Sequence, residues 1–185
     1  RYIIEGIRLV NDAVKYGAKI TSVFVKESIA SNYNFDNQVI VSDKIFSKIS
    51  DTVNGQGVLA VAEKFVSELK PPRSNALVLD CVQDPGNAGT LIRTAVACGF
   101  TDIYAVNSVD LYSPKVLRSA MSAHFCLNLY ESGSLEETFE ALRNSEIIAC
   151  DLDGENVFKS STSGKVALVL GNEGNGLSEY SKMNC

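Results

Sequence analysis

The sequence predicts an α/β protein in which a small α/β unit precedes a larger one with a mostly parallel sheet. Three observations carry this. Apolar runs of strand length alternate with amphipathic stretches of helix length, the order that builds parallel sheets with helical crossovers. The run Leu77-Val78-Leu79, continuing through Cys81 and Val82, is apolar without alternation, as in a strand covered on both faces. The stretch SELKPPRSN, with two adjacent prolines, favours extended backbone and divides the chain into residues 1–66, a linker at 67–75 and residues 76–185.

In the first unit, EGIRLVNDAVKYG predicts a helix with Ile7, Val10 and Val14 on one face and Gly17 as its stop. Ile20–Val25, Gln38–Val41 and Val58–Ala62 predict strands, the last after an NGQG turn. Ser42 stands where it can cap a short helix containing Ile45, Phe46 and Ile49. The order is close to α-β-α-β-α-β.

The second unit opens on the strand at Leu77, broken by the turn residues Asp84-Pro85-Gly86-Asn87. From Ala88 the pattern is helical: Leu91, Ala95 and Cys98 share a face, Ile92 and Val96 widen it, and Gly99 ends it. Arg93 projects off that stripe, near the positive end of the helix dipole, where helix stability alone does not favour a cation. After a strand at Ile103–Val106, Ser113-Pro114 marks another helix start. Lys115 and Arg118 share a face of it, and the small residues Ser119, Ala120, Ser122 and Ala123 allow another backbone to approach closely. His124–Leu129 predicts a strand, Leu135, Phe139 and Leu142 a helix, and Ile147–Cys150 and Val166–Leu170 two more strands, with Asp153-Gly154 as a turn between them. The unit reads β-α-β-α-β-α-β-β.

A net charge of −5 argues against coating nucleic acid by bulk charge but leaves room for a local basic patch. No apolar run approaches the roughly 20 residues that span a bilayer. The five cysteines show no C-x-x-C spacing, which disfavours a zinc or redox motif, and no metal site is expected. Cys81, Cys126 and Cys150 fall in apolar runs and are expected as reduced core residues of a cytoplasmic protein. His124 is the only histidine, and no partner spacing makes it part of a catalytic triad.

Two stretches carry chemistry. After the strand Val166–Leu170 comes Gly171-Asn172-Glu173-Gly174-Asn175-Gly176, whose three glycines let backbone approach a ligand. It is neither G-x-G-x-x-G nor a P-loop, which disfavours a dinucleotide or triphosphate. The other is Asn87, Gly89 and Arg93 in N-x-G-x-x-x-R after an apolar strand. This motif resembles the first signature of the SpoU (TrmH-like) ribose 2′-O RNA methyltransferases of the SPOUT superfamily. The stretch VALVLGNEGNGLSEY, Val166 to Tyr180, resembles the second. The first unit, with Glu5-Gly6 at one end and GQGVLAVAEK at the other, resembles the L30e-like domain that precedes many such catalytic domains.

The resemblance implies an L30e-like RNA substrate-binding domain at 1–66 and a SPOUT-type, α/β-knot methyltransferase domain at 76–185. It implies S-adenosyl-L-methionine as cofactor, held by Leu170, Gly171, Asn172, Gly174, Gly176 and Leu177. It implies a catalytic set of Arg93, Asn87 and Glu173, with Glu173 as a polar anchor near the first motif. Lys115 and Arg118 are expected to contact RNA, either ribosomal or transfer RNA, and the family's usual state is a homodimer. An arginine is effectively always protonated, so Arg93 is expected to bind phosphate and stabilise developing negative charge rather than act as a base. The family's third signature, which completes the knot, the cofactor pocket and much of the dimer interface, does not follow. The chain is therefore read as a fragment of a methyltransferase, inactive in this span, with a natural degenerate form as the alternative. A non-catalytic RNA-binding module on the same scaffold is the rival function. A small-molecule enzyme with a nucleotide-binding fold is disfavoured by the missing phosphate fingerprint.

Overall fold

The computed structural model describes residues 1–52, 55–64, 68–159 and 161–185. The first unit runs β1 (Tyr2–Glu5), α1 (Ile7–Lys15), β2 (Ile20–Lys26), a 3-10 turn, β3 (Gln38–Val41), α2 (Asp43–Ile49) and β4 (Val58–Ala62). Its sheet has the order β1-β4-β2-β3, with β2 and β3 parallel and the other pairings antiparallel. Strand β1 was not anticipated: Gly6, at φ 102°, separates it from the helix whose pattern masks it. The buried face of α1 is Leu9, Val10 and Ala13, whereas Val14 is exposed. The 3.6-residue period admits neighbouring stripes, and packing on β1 and β4 selects the one with the small Ala13. In α2 only Phe46 is buried, with Ile45 and Ile49 exposed; Ser42 caps the helix by accepting from the Ile45 amide at 3.4 Å. The expected NGQG turn includes Asn54, which lies outside the described residues, as do residues 65–67 at the expected domain boundary.

Residues 68–75 have no regular structure but are fastened to the second unit. The Tyr104 hydroxyl donates to Lys70 O at 2.5 Å, the Arg73 amide to Asp102 at 2.9 Å, and Lys165 Nζ to Pro72 O at 2.8 Å.

The second unit runs β5 (Ala76–Asp80), α3 (Pro85–Ala97), β6 (Asp102–Val106), α4 (Pro114–Ala120), β7 (Asn128–Ser132), α5 (Leu135–Ala141), β8 (Glu146–Ala149), β9 (Val166–Leu170) and α6 (Glu179–Asn184). Its sheet has the order β7-β6-β5-β9-β8, and every pairing is parallel. Alternate residues of β5 serve two cores. Leu77 and Leu79 pack with Ile92 of α3 and Val116 of α4, while Ala76 and Val78 pack with Phe139 of α5 and Val169 of β9. Strand β5 stops at Asp80, short of the expected end, because Cys81 turns to φ 61°. The buried face of α3 is centred on Ile92, flanked by Ala88, Gly89 and Ala95, and Cys98 is exposed.

The segment expected as a strand at His124–Leu129 is instead a 3-10 turn at Ala123–Cys126, and β7 starts at Asn128. Met121 and Ser122, both at positive φ, end α4 and turn the chain before any strand can begin. Ser113 occupies the N-cap of α4 without a side-chain cap bond, although Pro114 takes the first helical position as expected. Cys126 and Cys150 are exposed rather than core residues, Cys81 is half-buried, and all five thiols are free. An apolar run marks a strand or turn but not which of its side chains face inward.

The two units share a core. Leu117 of α4 is buried among Ile4, Val10, Val25 and Val58 of the first unit, and Phe125 packs against the same cluster. Polar ties flank this plug: Arg118 to Asp51 at 3.0 Å, Ser122 to Asp12 at 2.5 Å, and Lys64 to both Asp110 and Glu131.

His124 sits beside this junction, only 5% exposed, with Nε2 2.6 Å from the Leu111 carbonyl oxygen. Burial outweighs that hydrogen bond and pushes its pKa down to about 4. The unfolded chain therefore binds the proton more readily than the folded one, whose histidine stays neutral. Stability should be full above about pH 6.5 and fall as the pH drops toward 4, with a loss of order 3 kcal/mol. Chemical denaturation across this range should show the slope, and His124→Phe should flatten it.

Candidate active site

The site forms at the carboxyl ends of β5 and β9, which lie side by side. From β5 the chain steps to β6 and β7 on one side, and it returns through β8 and β9 on the other. The central gap is therefore a topological switch point, where open parallel sheets bind ligands. The loop after β5 carries Asn87, and the loop after β9 carries Gly171 to Gly176.

One carboxylate joins the two loops. Glu173 accepts hydrogen bonds from the Gln83 amide at 3.3 Å, the Asp84 amide at 3.2 Å and Asn87 Nδ2 at 3.3 Å. Loss of hydration opposes its charge, but these donors outweigh it and hold its pKa below the ordinary glutamate value. Asp84 also caps α3, accepting from the Asn87 amide at 2.8 Å. Asn172 braces the other loop: its Nδ2 donates to Cys81 O at 2.8 Å, and its Oδ1 accepts from the Gly174 and Asn175 amides at 2.9 Å. Asn172 and Gly176 also exchange backbone bonds, closing the loop on itself. Gly171 permits that closure, because a Cβ there would lie 2.4 Å from the Gly176 carbonyl carbon.

A second carboxylate, not singled out in the sequence, lies beneath. Asp80 ends β5 and is fully buried. Its Oδ2 accepts from the Ser178 amide at 2.9 Å and the Ser181 hydroxyl at 2.7 Å, pinning the start of α6 under the glycine loop. Burial raises its pKa, but the hydrogen bonds from Ser178 and Ser181 win and hold it below the usual aspartate value. Its Oδ1 is buried without a partner among the described residues. The available signal was a charged residue closing an otherwise apolar strand.

The cavity between the loops holds about 370 Å3 and is lined by Val82, Asn87, Leu91, Leu170, Gly171 and Glu173, with Thr90, Cys150, Asn172 and Gly176 completing the wall. Six predicted residues thus meet there: Asn87, Leu170, Gly171, Asn172, Glu173 and Gly176. Gly174 stands exposed in the loop, and Leu177 is buried in the core beneath it with Val78 and Val169. Arg93 lies farther along α3, exposed, with Nη1 3.5 Å from Met121 Sδ. Lys115 and Arg118 lie on α4, Lys115 exposed and Arg118 paired with Asp51. Helices α3 and α4 are pressed together at Gly89, where a Cβ would lie 2.4 Å from Ser119 Cβ. The small residues expected to permit a close approach therefore do so. Among the described residues, no three His, Cys, Asp or Glu side chains converge as a metal site would need.

The comparisons with known proteins agree with this geometry. Residues 74–185 match the SpoU rRNA Methylase family, and residues 1–60 match the MRM3-like substrate binding domain. The chain belongs to the SpoU rRNA methylase family. It is 29% identical over 183 residues to the 23S rRNA (guanosine(2553)-2′-O)-methyltransferase RlmP of Bacillus subtilis, covering 95% of this chain and 73% of that protein. It is 31% identical over 145 residues to the mitochondrial rRNA methyltransferase 3 of Xenopus laevis, covering 70% of this chain but 35% of that protein. The crystal structure of an AdoMet-bound rRNA methyltransferase from Sinorhizobium meliloti superposes with a TM-score of 0.85 at 28% identity, covering all of this chain and 75% of that one. The expected family, fold class and activity class, an RNA 2′-O-methyltransferase, are borne out by these relatives. In this SpoU chain the two signatures share one cavity through Glu173, which the motifs alone do not show.

Asp80→Ala should leave the Ser178 amide and Ser181 hydroxyl without their acceptor. At about 1–3 kcal/mol per orphaned group, the chain should lose roughly 2–6 kcal/mol of stability. Hydrogen exchange should accelerate first in residues 171–181, and denaturant titration reads the total.

Proposed function

We propose that this chain carries the catalytic site of an enzyme that methylates a ribose 2′-hydroxyl of RNA with S-adenosyl-L-methionine. The observation that carries the reading is the Glu173 clamp, which sets the two SpoU signatures against one cavity at the switch point of a parallel sheet. The cavity suits the cofactor: Val82, Leu91 and Leu170 offer apolar walls for an adenine, and the backbone of the Gly171–Gly176 loop offers polar edges for a ribose. Leu170, Gly171, Asn172 and Gly176 hold it there, Gly174 covers it from the loop, and Leu177 anchors the loop from below. When bound, the cofactor supplies a sulfonium-activated methyl group.

The remaining work falls to this chain's own residues. Arg93 binds the phosphate beside the target ribose and stabilises negative charge on the hydroxyl oxygen as its proton leaves to solvent. Asn87, tied to Glu173 through Nδ2, presents Oδ1 to the substrate. Glu173 is a poor base, because its donors favour the ionised form. Its part is to hold the loops in register. Lys115 contacts the RNA backbone from α4, and Arg118 does so by exchanging Asp51 for a phosphate. RNA, ribosomal or transfer, engages the first unit as well, and the working state is a homodimer. We place the protein in the cytoplasm, where its five free thiols stay reduced.

In the enzyme carrying this sequence, Arg93→Ala should lower methyl transfer by about 10²–10⁴-fold, the usual cost of losing one group that acts in the transition state. Calorimetry should find cofactor affinity nearly unchanged. Unaltered transfer to a purified RNA would remove Arg93 from the mechanism.

A further inference from the structure

A second cavity, of about 280 Å3, opens at the junction of the two units, away from the cofactor loops. Its walls are aromatic. Tyr2 and Tyr112 lie 4.8 Å apart between centroids at an interplanar angle of 52°, His124 is 6.2 Å from Tyr112, and Phe125 and the exposed Tyr16 complete the surround. Three of the chain's seven tyrosines therefore converge at one place that neither signature explains. Three polar side chains besides the tyrosine hydroxyls break the apolar lining, Glu63, His124 and Asn128, and the Asn128 Nδ2 already donates to Asp102 at 2.8 Å. The Leu111 carbonyl can only accept, so His124 Nε2 carries the proton and Nδ1 is an acceptor. That Nδ1 is buried and has no partner among the described residues. Burial keeps the ring neutral, and hence an acceptor, throughout the physiological range.

The cavity is also connected to the chemistry. Arg93 touches Met121, and the next residue, Ser122, bonds Asp12 of α1 at 2.5 Å. The chain then enters the turn that carries His124 and Phe125, while α1 ends beside Tyr16. The chain from Met121, beside Arg93, thus runs directly into the turn that lines the cavity.

The geometry points to a subsite for one unstacked nucleobase of the substrate, belonging to a nucleotide other than the one methylated. Stacking on aromatic rings and hydrogen bonding at the base edge is how proteins read single-stranded RNA. A base edge bearing an N–H satisfies His124 Nδ1, which an aliphatic ligand leaves orphaned. A quaternary ammonium would also fit an aromatic surround, but it has no proton to donate. The inference rests on the RNA methyltransferase reading and names which part of the substrate the junction holds.

The test uses the single histidine, whose imidazole nitrogens give one set of long-range 1H–15N NMR signals. Titration with the four nucleoside monophosphates should shift Nδ1, and a short single-stranded RNA should shift it more tightly. The same RNA made abasic throughout should not shift it. Tyr16→Ala, which removes an exposed ring, should weaken the RNA that carries its bases by about 5- to 100-fold and leave the abasic RNA unaffected. RNA that binds, with signals moving at Lys115 and Arg93 while His124 stays silent, overturns the subsite and leaves the methyltransferase reading standing. A response to tetramethylammonium and not to nucleotides assigns the cavity to a cation and also overturns it. RNA that neither binds nor is methylated overturns the subsite together with the reading it rests on.

Discussion

The buried carboxylate of Asp80 closes the central strand of the larger sheet and accepts from both Ser178 and Ser181. It holds the segment after β9 against the end of β5. The loops that form the 370 Å3 cavity hang from these two strands, so their separation is set by these bonds and by the sheet register, Leu79 opposite Leu170. The Glu173 clamp above it is exposed and worth less by itself, since exposed polar contacts compete with water. Its value is geometric: with the strands already fixed, three weak donors suffice to choose one arrangement of the two loops.

The same reasoning separates cause from decoration at the junction of the units. The ion pairs Arg118–Asp51 and Lys64–Asp110 have partly exposed partners, and such pairs contribute at most about 1 kcal/mol each. Leu117 is buried to 1% exposure in the core of the other unit, and full burial of a leucine is worth about 1.5–3 kcal/mol. The apolar plug holds the units together and the ion pairs orient them. Breaking the Arg118–Asp51 pair would therefore cost the junction little. Gly89 extends the chain of contact, because its missing Cβ lets α4 lie against α3, which carries Asn87 and Arg93. The first unit thus bears on α3 through a single intervening helix.

Most of the larger unit was legible in the sequence. The unbroken apolar run of β5, the turn at Asp84–Asn87 and the glycine-rich loop after β9 have local causes: burial on both faces, turn chemistry and backbone freedom. Their order implied a parallel sheet, and their spacing carried the family resemblance. The first unit was less legible. Strand β1 has four residues and merges into a helical pattern, and the inward faces of α1 and α2 depend on what they pack against. The strand expected at His124 became a turn because Met121 and Ser122 adopt left-handed backbone that their identities do not announce.

What the sequence by itself determined was the set of chemical groups: Asn87 and Arg93 on one helix, Glu173 in a glycine loop, cations on α4, and no nucleotide fingerprint. Only the tertiary structure decided which of these meet. It joined Asn87 to Glu173 across 86 residues, set Arg93 beside Met121, turned Leu177 into the core and paired Arg118 with the first unit. It also assembled the aromatic junction cavity from residues as distant as Tyr2 and Tyr112. Local pattern sets an element's type over a few residues. Long-range neighbours are set by strand order and helix packing, which depend on the burial of whole faces at once.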